Sequence, residues 1–272
     1  FVITLKIRSL MEKKILYLLT CVGLCWSSCT NEVDEFIGNV EPSTRSVSTA
    51  LNANLASLFT GGAPTLTSAE IKEVNDAYAK MTSINCYRNI DEAVRNKTSY
   101  AGTIFLDDTY ASAYFRKGSL AFPPYGILAS SMEHEFIHMY QRDVQGKKVD
   151  TDKEKRDTGM MEFELAFYQG IIRYIHAGYS WTFKGEDGDP SYQSLWTSGL
   201  TDPSLIPQYE REFQTYVASI CANGKPTSID INEFVKWSNI FGEYSRGYSG
   251  KEYKFGNYDY GTSCINSLLK LY

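Results

Sequence analysis

The sequence predicts an α+β domain, helix-rich, with a small sheet beside one functional helix. Three observations predict it. Long stretches carry apolar residues at helical spacing. Two short runs of β-branched and aromatic residues stand next to each other in the first half of the chain. And SSMEHEFIHMYQ, residues 130–141, sets two histidines four apart in a chain that holds three histidines in 272 residues.

The segment before the domain reads as processing and anchoring sequence. From Met11, MEKKILYLLTCVGLCWSSC places two lysines before an apolar run and then small residues. That is the order of a secretion signal, and the run is too short and too poorly flanked to be a transmembrane helix. Residues 1–28 are therefore upstream residues and signal peptide. Ser27 and Ser28 stand before Cys29, an ending that resembles a bacterial lipoprotein signal, with Trp26 where a branched aliphatic residue is usual. The resemblance implies that Cys29 is the lipidated first residue of a secreted protein anchored to the outer membrane. Residues 29–50 are polar and read as a flexible tether. Their acids Glu32, Asp34 and Glu35 resemble the surface-export signal of Bacteroides-like lipoproteins. Residues 51–272 then form a single domain.

The elements follow in order. Thr67-Ser-Ala-Glu70 matches a capping box, followed at helical spacing by Ile71, Val74, Tyr78 and Met81. Residues 99–106 (SYAGTIFL) read as a strand, and 112–122 (SAYFRKGSLAF) as a second, less regular one. Pro123-Pro124 breaks the chain before a helix over about 126–144. A Lys- and Asp-rich loop leads to a strongly apolar helix over about 158–177, which reads as buried. Residues 178–203 read as a long loop. Amphipathic helices are expected near 204–222 and 230–245. A Tyr- and Gly-rich irregular tail over 246–261 precedes a short closing helix.

Charge and cysteine count exclude some partners. The net charge is −5, and losing residues 1–28, which carry four basic residues and one acid, takes it to −8. With no basic stripe to neutralise phosphates, nucleic acid is not a partner. Cys86, Cys221 and Cys264 would remain, an odd and widely spaced set that is neither a disulfide framework nor a zinc ribbon. One bridge and one free thiol are compatible with an oxidising compartment.

The chemistry sits in His134-Glu135-Phe136-Ile137-His138. Residues four apart share a helix face, so the two imidazoles stand side by side and can hold one Zn²⁺. Glu135 lines the same side without having to ligate, where a carboxylate can take a proton from water at the metal. Met132, Phe136 and Met139 supply an apolar opposite side. A hydrolytic zinc needs a third protein ligand. The third histidine, His176, reads instead as a cation at a helix C-terminus. Glu162 and Glu164 in MMEFELAFYQG are the better candidates, because a metal relieves the cost of a carboxylate in an apolar helix. Two residues apart, they point in different directions. One can be the ligand and the other can accept a hydrogen bond from a metal-bound histidine, or both can pair with Arg173 and Lys155. Ala166, Gln169 and Arg173 share the Glu162 side, whereas Phe167, Tyr168 and Ile171 lie nearer Glu164. That favours Glu162 and leaves Glu164 as the competing third ligand.

HExxH, a loop, and a second helix that supplies glutamate resemble the gluzincin branch of the zinc metallopeptidases, over about residues 98–177. Glu162-Phe-Glu-Leu-Ala fits neither Glu-x-x-Ala-Asp nor Asn-Glu-Ala of that branch cleanly, since Leu165 stands in the alanine place either way. The resemblance implies a zincin-like domain and a zinc peptidase in which Glu135 is the general base and the substrate is a peptide or protein. It also implies an edge strand beside the active-site helix, for which 117–122 or 101–106 are the candidates. The transition-state donor is open among Tyr140, His176, Arg173 and the tail tyrosines. A second reading comes from the 20 tyrosines and the anchor: a non-catalytic cell-surface lipoprotein that binds glycans or peptides, with HExxH structural or relict.

Overall fold

Two side-chain caps start the described structure, a computed structural model. Asn52 accepts from the Asn54 N–H at 3.0 Å and opens helix α1, Ala53–Leu58. Thr67 accepts from the Glu70 N–H while the Glu70 carboxylate accepts from the Thr67 N–H, and this reciprocal cap opens α2, Ser68–Ser83. The structure describes residues 50–110, 112–147, 155–176, 204, 206–221, 224–249 and 263–272. All of them belong to one unit that comprises 44–182 and 196–272. The expected signal peptide, the Cys29 lipidation site, the tether up to residue 49 and the whole of the 178–203 loop lie outside the described residues.

After one extended residue, Ile84, the chain enters α3, Asn85–Lys97, which the sequence reading did not foresee. Its buried face is Cys86, Tyr87, Ile90, Asp91 and Val94. The buried Asp91 carboxylate is held by the Tyr78 hydroxyl at 2.9 Å and by Arg95 Nη2 at 2.9 Å, which offsets its desolvation.

Three strands follow: β1 Ile104–Leu106, β2 Tyr114–Arg116 and β3 Ser119–Phe122. They form a mixed sheet in the order β1-β3-β2, with β1 parallel and β2 antiparallel to β3. The expected single strand over 112–122 is therefore a hairpin. Lys117 (φ 52°) and Gly118 (φ 78°) are both left-handed, as a two-residue turn matched to strand twist requires. This also corrects the edge-strand expectation, because residues 119–122 form the middle strand. The outer side of β1 is lined by residues 58–62, through Tyr100 N to Leu58 O (2.6 Å), Thr60 N to Tyr100 O (2.8 Å) and Ile104 N to Gly62 O (2.9 Å). The open edge is β2. Gly102 permits a close crossing beneath the hairpin turn, since a Cβ there would lie 2.2 Å from the Gly118 carbonyl oxygen.

Helix α4, Ala129–Met139, runs on into a π-helical turn over Tyr140–Val144, closed by Gln145 N to Tyr140 O at 3.0 Å. α4 packs on α2, α3 and β2, and on the next helix, α5, Lys155–His176. Its apolar side, Met132, Phe136, Ile137 and Met139, is fully buried, and the Phe136 ring stands 6.2 Å from Tyr78. α5 is in turn covered by α6 (Ile206–Ile220), α7 (Ile231–Ser249) and the closing α8 (Ile265–Leu269). α7 reaches into the stretch expected to be irregular, through residue 249. Aromatic rings carry this packing: Phe163–Phe167 at 5.3 Å, Phe163–Phe234 at 5.2 Å, Phe167–Phe213 at 5.4 Å and Phe213–Trp237 at 5.2 Å. Burying each such side chain contributes about 1.5–3 kcal/mol. The result is helix-rich with a small mixed sheet, an α+β arrangement. Cys86, Cys221 and Cys264 are all buried and form no disulfide among them, so the one bridge compatible with an oxidising compartment is not made. No helix of the described residues is long and apolar enough to cross a membrane.

The crossing at Gly102 is testable. Gly102→Ala must displace backbone, at a cost of about 3 kcal/mol. Gly62→Ala meets nothing within 4 Å and carries only the left-handed penalty at φ +67°, about 1 kcal/mol. Urea unfolding midpoints should separate the two variants in that order, and equal losses would contradict the close approach.

Candidate metal centre

One turn of α4 sets the first two groups. His134 and His138 lie four apart, with their rings 4.7 Å apart at 80° to each other and their Nε2 atoms separated by 3.1 Å. α5 supplies the third. From Met160 to Ile172, α5 is buried at every position except Glu162 and Ala166, one turn apart. Through that opening the Glu162 carboxylate reaches the imidazoles, with Oε1 at 3.2 Å from His138 Nε2 and Oε2 at 3.7 Å from His134 Nε2. The side chains are 35%, 18% and 34% exposed for His134, His138 and Glu162, so the group lines the surface rather than a sealed core.

These separations are the fit test for a metal. Bonds of about 2.0–2.2 Å arranged tetrahedrally put ligand atoms about 3.3 Å from one another. Here the two Nε2 atoms stand 3.1 Å apart, and the Glu162 oxygens lie one 3.2 Å from His138 and the other 3.7 Å from His134, so a single ion must draw one of these oxygens toward both imidazoles. His134, His138 and Glu162 can therefore hold a metal ion with little rearrangement.

Glu164 points elsewhere. It is fully buried and accepts from Gln141, Ser263 and Cys264. The alternative pairing with Arg173 or Lys155 lies outside the described residues, as does the side chain of His176. Tyr140 is 4% exposed and its hydroxyl accepts from Gln145 Nε2 at 3.1 Å. The tail tyrosines from residue 253 on lie outside the described residues.

Glu135 sits beside the group, with Oε1 at 3.9 Å from His134 Nε2. The backbone N–H of Phe115 favours the charged form of that carboxyl. Strand pairing explains why that N–H is free to donate. In a two-residue hairpin Arg116 and Ser119 exchange hydrogen bonds, so the next residue, Phe115, turns its N–H and C=O outward from β3. The strand is pinned there by Arg142, whose guanidinium lies 4.3 Å above the Phe115 ring and pairs with Asp143 at 2.7 Å. Asp143 also accepts from the Tyr100 hydroxyl. The π-helical turn thus ties the edge strand to the helix that carries the histidines.

Electrostatics in the metal-free group are strongly coupled. Burial pushes the Glu135 carboxyl up to about 8, the His138 charge opposing this and the Glu162 charge adding to it. Burial disfavours the His138 imidazolium, but the Glu162 carboxylate outweighs it and raises that group to about 9. Glu162 falls to about 2, because the attraction of His138 and then His134 exceeds the penalty of burial. The metal-free site is an imidazolium–carboxylate pair, and a cation entering it must displace the proton on His138 Nε2.

Sequence reasoning missed Gln141, the Phe115 N–H and residues 263–264. Gln141 alone carried a local signal, since it lies three residues after His138 on the same helical face.

Isothermal titration with a divalent ion such as Co²⁺ should give one equivalent per chain. His138→Ala and Glu162→Ala should each weaken binding on the order of 10²-fold or more. Undiminished affinity in Glu162→Ala would put the third ligand elsewhere. No family model matches this chain, and neither a curated protein nor a solved structure matches it.

Proposed function

We propose that this chain is a zinc-dependent hydrolase of peptide bonds, zincin-like in its domain and gluzincin-like in its ligand set. The observation that carries the reading is the meeting of two imidazole nitrogens and the Glu162 carboxylate, one ligand atom from each within 4.8 Å of the others, with a fourth group, Glu135, at their side. Two imidazoles and a carboxylate suit Zn²⁺ and leave a coordination position open, which is the pattern of a hydrolytic rather than a structural site.

Bound there, zinc would supply a Lewis acid for water and for the scissile carbonyl. The protein's own part falls to Glu135, which takes the proton of the attacking water and passes it to the leaving amine. Phe115 N–H holds one face of that carboxylate, so proton transfer does not require the side chain to find its place. β2 is the open edge of the sheet and lies against α4. An extended peptide or protein substrate can lie along it, which puts the substrate strand at 114–116 rather than at either segment first expected. We further propose that Cys29 anchors the protein by lipid to the outer membrane, facing the cell exterior.

A binding lipoprotein without catalysis is favoured by one feature, the exposure of Tyr110 and Tyr125 at 50% and 67%. One variant separates the readings. Glu135→Gln should keep stoichiometric zinc while hydrolysis of a mixed peptide library falls roughly 10²–10⁴-fold. Full activity in that variant would overturn the role of Glu135. Wild-type protein that binds zinc and cleaves no peptide in such a library would favour the binding reading.

A further inference from the structure

The second carboxylate of α5 is buried at a real cost and takes no part in the three-ligand group. Glu164 is surrounded by four donors. Ser263 Oγ at 2.7 Å and Cys264 N–H at 2.9 Å meet Oε1, and Gln141 Nε2 at 3.0 Å and Cys264 Sγ at 2.8 Å meet Oε2. Burial, and then the Glu164 charge, push the Cys264 thiol well up, so it remains a donor. Nothing in such a bonding pattern requires Gln141 to continue beyond it, yet it does.

Gln141 is 0% exposed and lies between Glu164 and His138. Its Nε2 donates to Glu164 and, at 2.9 Å, to the Met161 carbonyl. A carbonyl accepts only, and a carboxylate ringed by four donors has only acceptors to offer, so the amide has a single workable orientation. Its oxygen is then the atom facing His138 Nδ1 at 2.9 Å. An amide oxygen cannot donate, and Nδ1 must carry the proton. Once a cation displaces the second proton of the imidazolium, the lone pair is left on Nε2, the nitrogen that stands 3.1 Å from His134 and 3.2 Å from Glu162. The other tautomer would direct an N–H at the ion and leave Gln141 facing a lone pair, and a flipped ring would offer only C–H groups to both.

We propose that Gln141 and Glu164, with Ser263 and the Cys264 N–H behind them, form a positioning relay that fixes the ring and tautomer of His138, and that the C-terminal segment 263–272 is thereby part of the metal centre. The proposal rests on the metal-site reading of His134, His138 and Glu162. It gives the two acids of α5 different work: Glu162 meets the ion, and Glu164 prepares its ligand from behind. A contact that merely anchored the C-terminal segment would lower stability without altering the affinity of folded protein for metal.

The test uses the full chain, with Zn²⁺ affinity measured by chelator competition and the ligand field read from Co²⁺ absorption. Gln141→Met and Glu164→Gln should each weaken Zn²⁺ binding roughly 10–100-fold and shift the Co²⁺ bands. The double variant should bind no worse than the weaker single variant, because both members belong to one relay. Gln145→Met, in the same turn but bonded to Tyr140, should stay within about twofold of wild type. Ser263→Ala removes one donor and keeps the carboxylate, so it covers a Glu164→Gln that does not fold, with a smaller shift in the same direction. Folded variants with unchanged affinity and spectrum, or losses that add in the double variant, would overturn the relay. If wild type binds Zn²⁺ in a His138-dependent way while these variants do not differ from it, the relay alone fails. If wild type binds none, the metal centre fails with it.

Discussion

A carboxylate from one helix meets two imidazoles from another at 3.2 and 3.7 Å, and the packing around them leaves these three side chains little choice. α4 is fixed on its far side by Met132, Phe136, Ile137 and Met139, all fully buried. α5 is fixed by edge-on and tilted aromatic rings from α7 and α6. Held against each other, the two helices present their polar residues where they must either pair or bind a cation. Charges this close are strongly coupled, and removing one without the other leaves an uncompensated charge, at about 3–5 kcal/mol for a buried pair and less where water reaches the group. The metal-free site meets that constraint by transferring charge to His138 and Glu162. A divalent ion held by the three side chains would meet it as well.

The same constraint explains the layering around the group. Glu135 is nearly buried, and a backbone N–H that strand geometry turns outward favours its charged form. The π-helical turn then uses Arg142, Asp143 and Tyr100 to hold that strand in place. Glu135 is less exposed than either imidazole, so the cluster opens to the surface while the carboxylate beside it stays covered.

HExxH was legible because histidine is rare in this chain and because four-residue spacing has one geometric meaning on a helix. The division between Glu162 and Glu164 was legible as a helical face: Ala166 marks the open stripe and Phe167 and Tyr168 the buried one. What remained hidden falls into two kinds. Some signals were present and ambiguous. Lys117-Gly118 is a turn dipeptide, but lysine is not the usual partner for glycine at φ near 52°, and the flanking residues read as one continuous strand. α3 buries one face, yet its Asn, Arg and Glu residues make it polar overall. Other features had no local signal. The bond from Cys264 to Glu164 spans 100 positions, and no spacing rule reaches that far. That the three cysteines form no disulfide among them likewise follows from where tertiary packing buries them, not from their number.

X-ray absorption at the zinc edge of the metal-loaded protein tests the centre most directly. The geometry predicts nitrogen and oxygen neighbours alone at about 2.0–2.2 Å, with outer-shell scattering from two imidazole rings. A sulfur neighbour at about 2.3 Å, or scattering from fewer than two imidazoles, would contradict a centre built from His134, His138 and Glu162.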